Sequence, residues 1–168
     1  MVDQRDTQRS RVYAAESQVA RIIDARLDYP TIQLFGSAVV VPDDRKFGDL
    51  ESVQRYVDGV LGLNWVRTRW PESASRPVVV RARAGASRAH YERDTATIAL
   101  PPFEVGGGWA LRELVVLHEL AHHATEAAVA LHGPEFAANV LELVSELLGA
   151  EAEFLLRTTY VENGVQIS

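Results

Sequence analysis

Residues 109–136 read WALRELVVLHELAHHATEAAVALHGPEF, and the organisation of the chain turns on how this stretch folds. Leu111, Leu114, Val115, Leu117 and Leu120 form a broad apolar face, and neither Pro nor Gly falls between Trp109 and Leu131, so the spacing predicts a helix. On that helix His118 and His122 stand four residues apart. An α-helix turns about 100° per residue, which sets His122 roughly 40° from His118 and one turn above it. Two imidazoles on one face of a rigid rod can share a tetrahedral ion. Glu119, next to the first, can reach a water on that ion without taking a coordination position itself.

His118-Glu119-Leu120-Ala121-His122 is the H-E-x-x-H arrangement found in zinc-dependent hydrolases. Zinc normally takes at least three protein ligands, so a third is needed. His132 is the first choice. It precedes Gly133-Pro134, a pair that breaks one helix and suits the start of another, and a reversal there would set His132 beside the first two histidines. Nitrogen donors also suit zinc. Glu126, one turn beyond His122, and Glu142 or Glu146, in the next predicted helix, are the alternatives. His123 lies one turn from Glu119, off the metal face, and reads as a supporting or surface residue rather than a ligand.

The motif at His118–His122, followed by His132-Gly133-Pro134-Glu135-Phe136, resembles the zincin metallopeptidases of the SprT-like kind. Their pattern is H-E-x-x-H and then a later histidine in an H-G-x-x-F-type context. The chain looks closest to small metallohydrolases of that superfamily, and the likeness covers about residues 95–160. It implies an α+β, zincin-like fold: a small mixed or antiparallel sheet packed with an N-terminal helix, the H-E-x-x-H helix and C-terminal helices. It also implies Zn2+ on His118, His122 and His132, Glu119 as general base, and a peptide or protein substrate. Two features depart from the pattern. There is no cysteine with which to build the zinc ribbon that SprT-like proteins often carry, and the run from His122 to His132 is longer than in compact zincins. Proteases of the ImmA/IrrE type, narrowly specific for one regulatory partner, also carry an H-E-x-x-H helix, and in that reading Glu126 or a later carboxylate is the third ligand. A non-enzymatic metal-binding module is the reading from another class. The intact Glu119 argues against it, because a structural zinc needs no base.

A chain of 168 residues suits one domain, 1–168, with a substantial core, and its polar first nine residues read as a flexible arm. Hydrophobic content of 47% with 24% charged residues is ordinary for a globular protein. The absence of cysteine excludes disulfides and Cys-based zinc sites. Residues 1–11 contain no apolar secretory core, and no apolar run approaches the roughly 18 residues of a membrane span, so the expected compartment is the cytoplasm. The net charge of −6 is unevenly placed. Between residues 67 and 93, Arg67, Arg69, Arg76, Arg81, Arg83, Arg88 and Arg93 face only Glu72 and Glu92. Such a patch suits nucleic acid. Overall acidity opposes that reading, and solvent-facing arginines on a strand explain the same residues.

Upstream, Val12, Ala15, Val19, Ile22, Ile23 and Leu27 predict a helix over 11–27. The β-branched stretch 31–41 predicts a buried strand. Asp49 is a plausible N-cap for a helix over 50–61, stopped by Gly62. Trp65 and Trp70 read as core or lid residues. Strands are expected over 76–84 and 90–100. The segment 95–100 is expected to border the cleft, because a strand beside a metal helix commonly receives substrate as an added strand. Gly106-Gly107-Gly108 reads as a hinge or flap. Downstream, helices are expected over 134–148, ended by Gly149, and over 151–161, where Tyr160 is a candidate oxyanion stabiliser.

Overall fold

The computed structural model describes residues 6–168. Among them the elements run α1 (Arg9–Asp24), β1 (Thr31–Leu34), β2 (Ser37–Val40), α2 (Leu50–Leu61), α3 (Asn64–Arg69), α4 (Pro71–Ser75), β3 (Val79–Ala82), β4 (His90–Glu92), β5 (Thr97–Leu100), α5 (Glu113–Ala124), α6 (Pro134–Leu148) and α7 (Ala150–Glu162). This is the expected α+β mixture. The elements group into two units: one is the contiguous stretch Arg45–Ala124, and the other joins the chain up to Asp44 with Thr125–Ser168. No helix among the described residues is long and apolar enough to cross a membrane.

In the discontinuous unit, α1 buries Val12, Ala15, Val19 and Ile23, a stripe at helical spacing. Its main partner is α7, which buries Leu155, Leu156 and Tyr160; α7 also packs on α6. Helix α6 has the predicted bounds. Pro134 sits in its first turn, where a missing N–H costs nothing, and Gly149 leaves it with φ 101°, a conformation that suits glycine. The predicted single strand at 31–41 is instead an antiparallel hairpin, with Thr31 opposite Val40 and Leu34 opposite Ser37. Phe35 and Gly36 turn it, both at positive φ. A two-stranded ribbon cannot bury both faces, so Val39 is covered while Ala38 and Val40 are exposed.

Of the expected flexible arm, residues 1–5 lie outside the described residues, whereas 6–9 are fixed in place. The Gln8 amide donates to the backbone oxygen of Gln166 (3.1 Å) and accepts from its N–H (3.0 Å), and Arg9 already begins α1. Gln8 is buried, so satisfying its amide requires this clasp.

In the contiguous unit, Asp49 caps α2 as expected, accepting from the Ser52 N–H at 2.7 Å, and Gly62 follows its last turn. Val53, Val57 and Val60 face the core. Trp65 and Trp70 meet edge to face at 5.8 Å, with Trp70 buried, which makes the pair part of the packing. The sheet order is β3-β5-β4, with β3 parallel and β4 antiparallel to β5. The predicted strand over 90–100 is therefore a hairpin, and Ala96 lies in the left-handed region at φ 48° just before β5. All four residues of β5 are buried because the strand is central. Hydrogen-bonded neighbours on both sides leave it no open edge for a substrate strand, which removes the reason for expecting 95–100 to border a cleft. The outer strands are β3 and β4, and Val79 in β3 is correspondingly about half exposed. Helices α2 and α5 pack on this sheet, α2 with β3 and α5 with β4, whereas the N-terminal helix expected there packs chiefly on α7.

The three glycines lie in tight turns. Short 3₁₀ segments cover Phe103–Val105 and Gly107–Trp109, and the Gly107 N–H bonds the Pro102 oxygen at 3.1 Å. A Cβ on Gly107 would stand 2.1 Å from the Pro101 backbone oxygen. Gly107→Ala is expected to destabilise the protein by about 3 kcal/mol, the upper end of the cost of overpacking. Urea denaturation checks this; an unchanged midpoint would contradict the close approach.

Candidate metal centre

Helix α5 carries the motif, and ten of its twelve residues are buried. It is covered nearly all round, so its polar side chains depend on partners inside the protein. At its first residue, the Glu113 carboxylate accepts from the Tyr56 hydroxyl at 2.6 Å and from the Arg45 N–H at 3.0 Å. A negative group also suits the positive end of the helix. Burial, reinforced by the Glu113 hydrogen bond and charge, pushes the Tyr56 phenol far above its ordinary range. Backbone bonds from Phe47 N–H to Leu111 O (2.8 Å) and from Glu113 N–H to Arg45 O (2.8 Å) fix the entry to the helix.

The other end of α5 is held by side chains. Arg93 donates to the His122 oxygen (3.1 Å) and the Ser73 hydroxyl to the His123 oxygen (3.0 Å), filling carbonyls that a helix end leaves open. The His123 ring is clamped. Its Nε2 lies 2.7 Å from the Ser73 backbone oxygen, and its Nδ1 lies 2.7 Å from the Tyr91 hydroxyl. A carbonyl only accepts, so Nε2 carries the hydrogen and Tyr91 donates to Nδ1. Burial is the main cause that keeps His123 below the usual histidine range, and the charges of Arg76 and Arg93 act the same way. His123 is thus a buried anchor for the helix and stands outside the group formed by His118, His122 and His132.

His132 lies in the segment between α5 and α6. Its Nδ1 is 2.7 Å from Asp6 Oδ2, and its ring packs against Phe136 (5.0 Å) and Tyr13 (5.4 Å). The rings of His118 and His122 stand edge to face at 5.0 Å. All three histidines are buried, and the ligand atoms they offer lie within 4.8 Å of one another. In each ring one nitrogen is buried and makes no hydrogen bond to a described residue (Nε2 of His118, Nδ1 of His122, Nε2 of His132), while each residue keeps other interactions. Three imidazoles so placed could together hold a metal ion.

The alternative third ligands fall away. Helix α5 ends at Ala124, so Glu126 is not on it. Glu126 and Glu146 are exposed and Glu142 is half-buried, and none belongs to the group. Glu119, beside His118, is buried. Tyr160 is fully buried and donates to Glu16 Oε1 at 2.6 Å between α7 and α1, which removes it as an oxyanion stabiliser. Several arginines of the basic stretch are engaged within their own unit. Arg76 donates to the oxygens of Arg93 and Asp94, Arg81 pairs with Glu92, and Arg83 lies 3.2 Å from His90 Nδ1. Sequence reasoning missed Asp6, Ser73, Tyr91 and Arg93, which no local pattern links to the histidines.

No known protein family, curated protein or solved structure matches the chain.

Tyr56→Phe removes one donor from the buried Glu113 and is expected to cost about 1–3 kcal/mol at pH 7. The Tyr56 phenol titrates above 10 in the folded protein and near 10 when unfolded, so its contribution is fully present below pH 10 and is lost as pH rises beyond it. Denaturation at pH 7 and pH 10.5 checks this: the gap between parent and variant narrows at the higher pH.

Proposed function

We propose that the protein is a zinc-dependent hydrolase that cleaves peptide bonds, of the zincin type and akin to SprT-like metallopeptidases. The observation that carries the reading is the convergence of His118, His122 and His132, all buried, with Glu119 between the first two in sequence and buried as well. His118, His122 and His132 would hold the ion. Bound there, zinc supplies Lewis acidity for a carbonyl and lowers the pKa of a water molecule to about 7. Glu119 accepts the proton of the attacking water and delivers it to the departing amine nitrogen. A buried carboxylate beside the ligands serves this role and has no use in a purely structural zinc site, which is usually closed by a fourth protein ligand. The all-histidine group favours this reading over one that takes a later carboxylate as the third ligand.

Glu119→Gln is expected to keep one zinc per chain and to lower peptide hydrolysis by about 10²- to 10⁴-fold. His118→Ala and His122→Ala are expected to lose both metal and turnover. Elemental analysis and a peptide-hydrolysis assay with and without a chelator check all three variants. Full turnover by Glu119→Gln, or zinc retained without His118, would refute the reading.

A further inference from the structure

We propose that Asp6 is a positioning residue of the metal centre: its carboxylate fixes the tautomer and orientation of the His132 ring, which makes the segment before α1 part of the metal-binding apparatus. The inference rests on the reading that His132 is a ligand.

An imidazole binds a metal through the nitrogen that carries no hydrogen, and the hydrogen bond made by the other nitrogen decides which one that is. Asp6 Oδ2 stands 2.7 Å from His132 Nδ1. A carboxylate oxygen only accepts, so Nδ1 donates and Nε2 is left as the basic nitrogen. The pair is well covered, with side chains only 6% (His132) and 23% (Asp6) exposed, so it is not a loose surface ion pair of little consequence.

The placement of Asp6 is itself determined. Two residues on, the Gln8 amide makes both of its bonds to the backbone of Gln166, and α1 begins at Arg9. From α1, Tyr13 lays its ring 5.4 Å from that of His132, while Phe136 of α6 covers another side at 5.0 Å. Aromatic packing restricts where the His132 ring can lie. The Asp6 carboxylate, bonded to Nδ1, distinguishes its two nitrogens. Asp6 touches a ligand and not the reacting atoms, so it acts through His132.

Two measurements on the full-length protein test this. Long-range ¹H–¹⁵N correlation spectra of the metal-free wild type report the His132 tautomer directly. The Nδ1–H form is expected, and the Nε2–H form overturns the proposal without any variant. Zinc affinity, measured by competition with a chromophoric chelator, is then compared across variants whose folding is verified by thermal melting. Asp6→Ala is expected to bind zinc about 10- to 100-fold more weakly. Asp6→Asn loses less, because its amide oxygen still accepts from Nδ1–H. Wild-type affinity in Asp6→Ala overturns the proposal. Failure of the wild type to bind zinc would instead sink the hydrolase reading, and the tautomer would still judge the Asp6 contact.

Discussion

A helix buried on nearly every side that carries two carboxylates and three imidazoles needs a partner for each of them, and much of the contiguous unit is organised to supply those partners. An unsatisfied buried polar group costs about 1–3 kcal/mol, more if charged, so α5 is tolerable only with its surroundings in place. Glu113 is met by α2 through Tyr56 and by the backbone of Arg45. His123 is met by α4 through Ser73 and by β4 through Tyr91. The closing carbonyls are met by Arg93 and Ser73. The sheet thus serves as more than apolar backing for α5: residues at and just beyond β4 hold the last turn of that helix.

The discontinuous unit solves a similar problem for His132 by other means. That histidine sits in a connection between helices, where the backbone alone does not restrain a ring. Its restraint comes from aromatic neighbours on α1 and α6 and from a carboxylate upstream of α1. The helical packing of α1 on α7 and of α7 on α6 sets those neighbours in place. The two halves of the motif are therefore stabilised differently, a rigid helix for His118 and His122 and a packed pocket of side chains for His132.

The sequence disclosed what local chemistry controls. Asp49 and Gly62 bounded α2, and Pro134 with Gly149 bounded α6, because capping, proline and glycine act over a few residues. The two hairpins were hidden because their turns lack the usual signature. Phe35 and Ala96 occupy left-handed backbone where glycine or asparagine is expected, so 31–41 and 90–100 each read as one strand. The end of α5 was hidden for a related reason: no glycine or proline follows Ala124 until Gly133, and side chains from distant segments take its carbonyls. At the site, the H-E-x-x-H spacing and the break at Gly133-Pro134 were enough to nominate the three histidines. Nothing local pointed to Asp6 or Tyr91, which lie 126 and 32 residues away from the histidines they bond.

The discontinuity of one unit has a consequence for synthesis from the N-terminus. The stretch Arg45–Ala124 is contiguous and holds its own helices and sheet. Helix α1 emerges earlier but must wait for α7 to cover Val12, Ala15, Val19 and Ile23. Through that interval its apolar stripe stays wet and open to wrong partners. His132 belongs to the same unit, and its ring is covered only once Tyr13 of α1 and Phe136 of α6 have both been made.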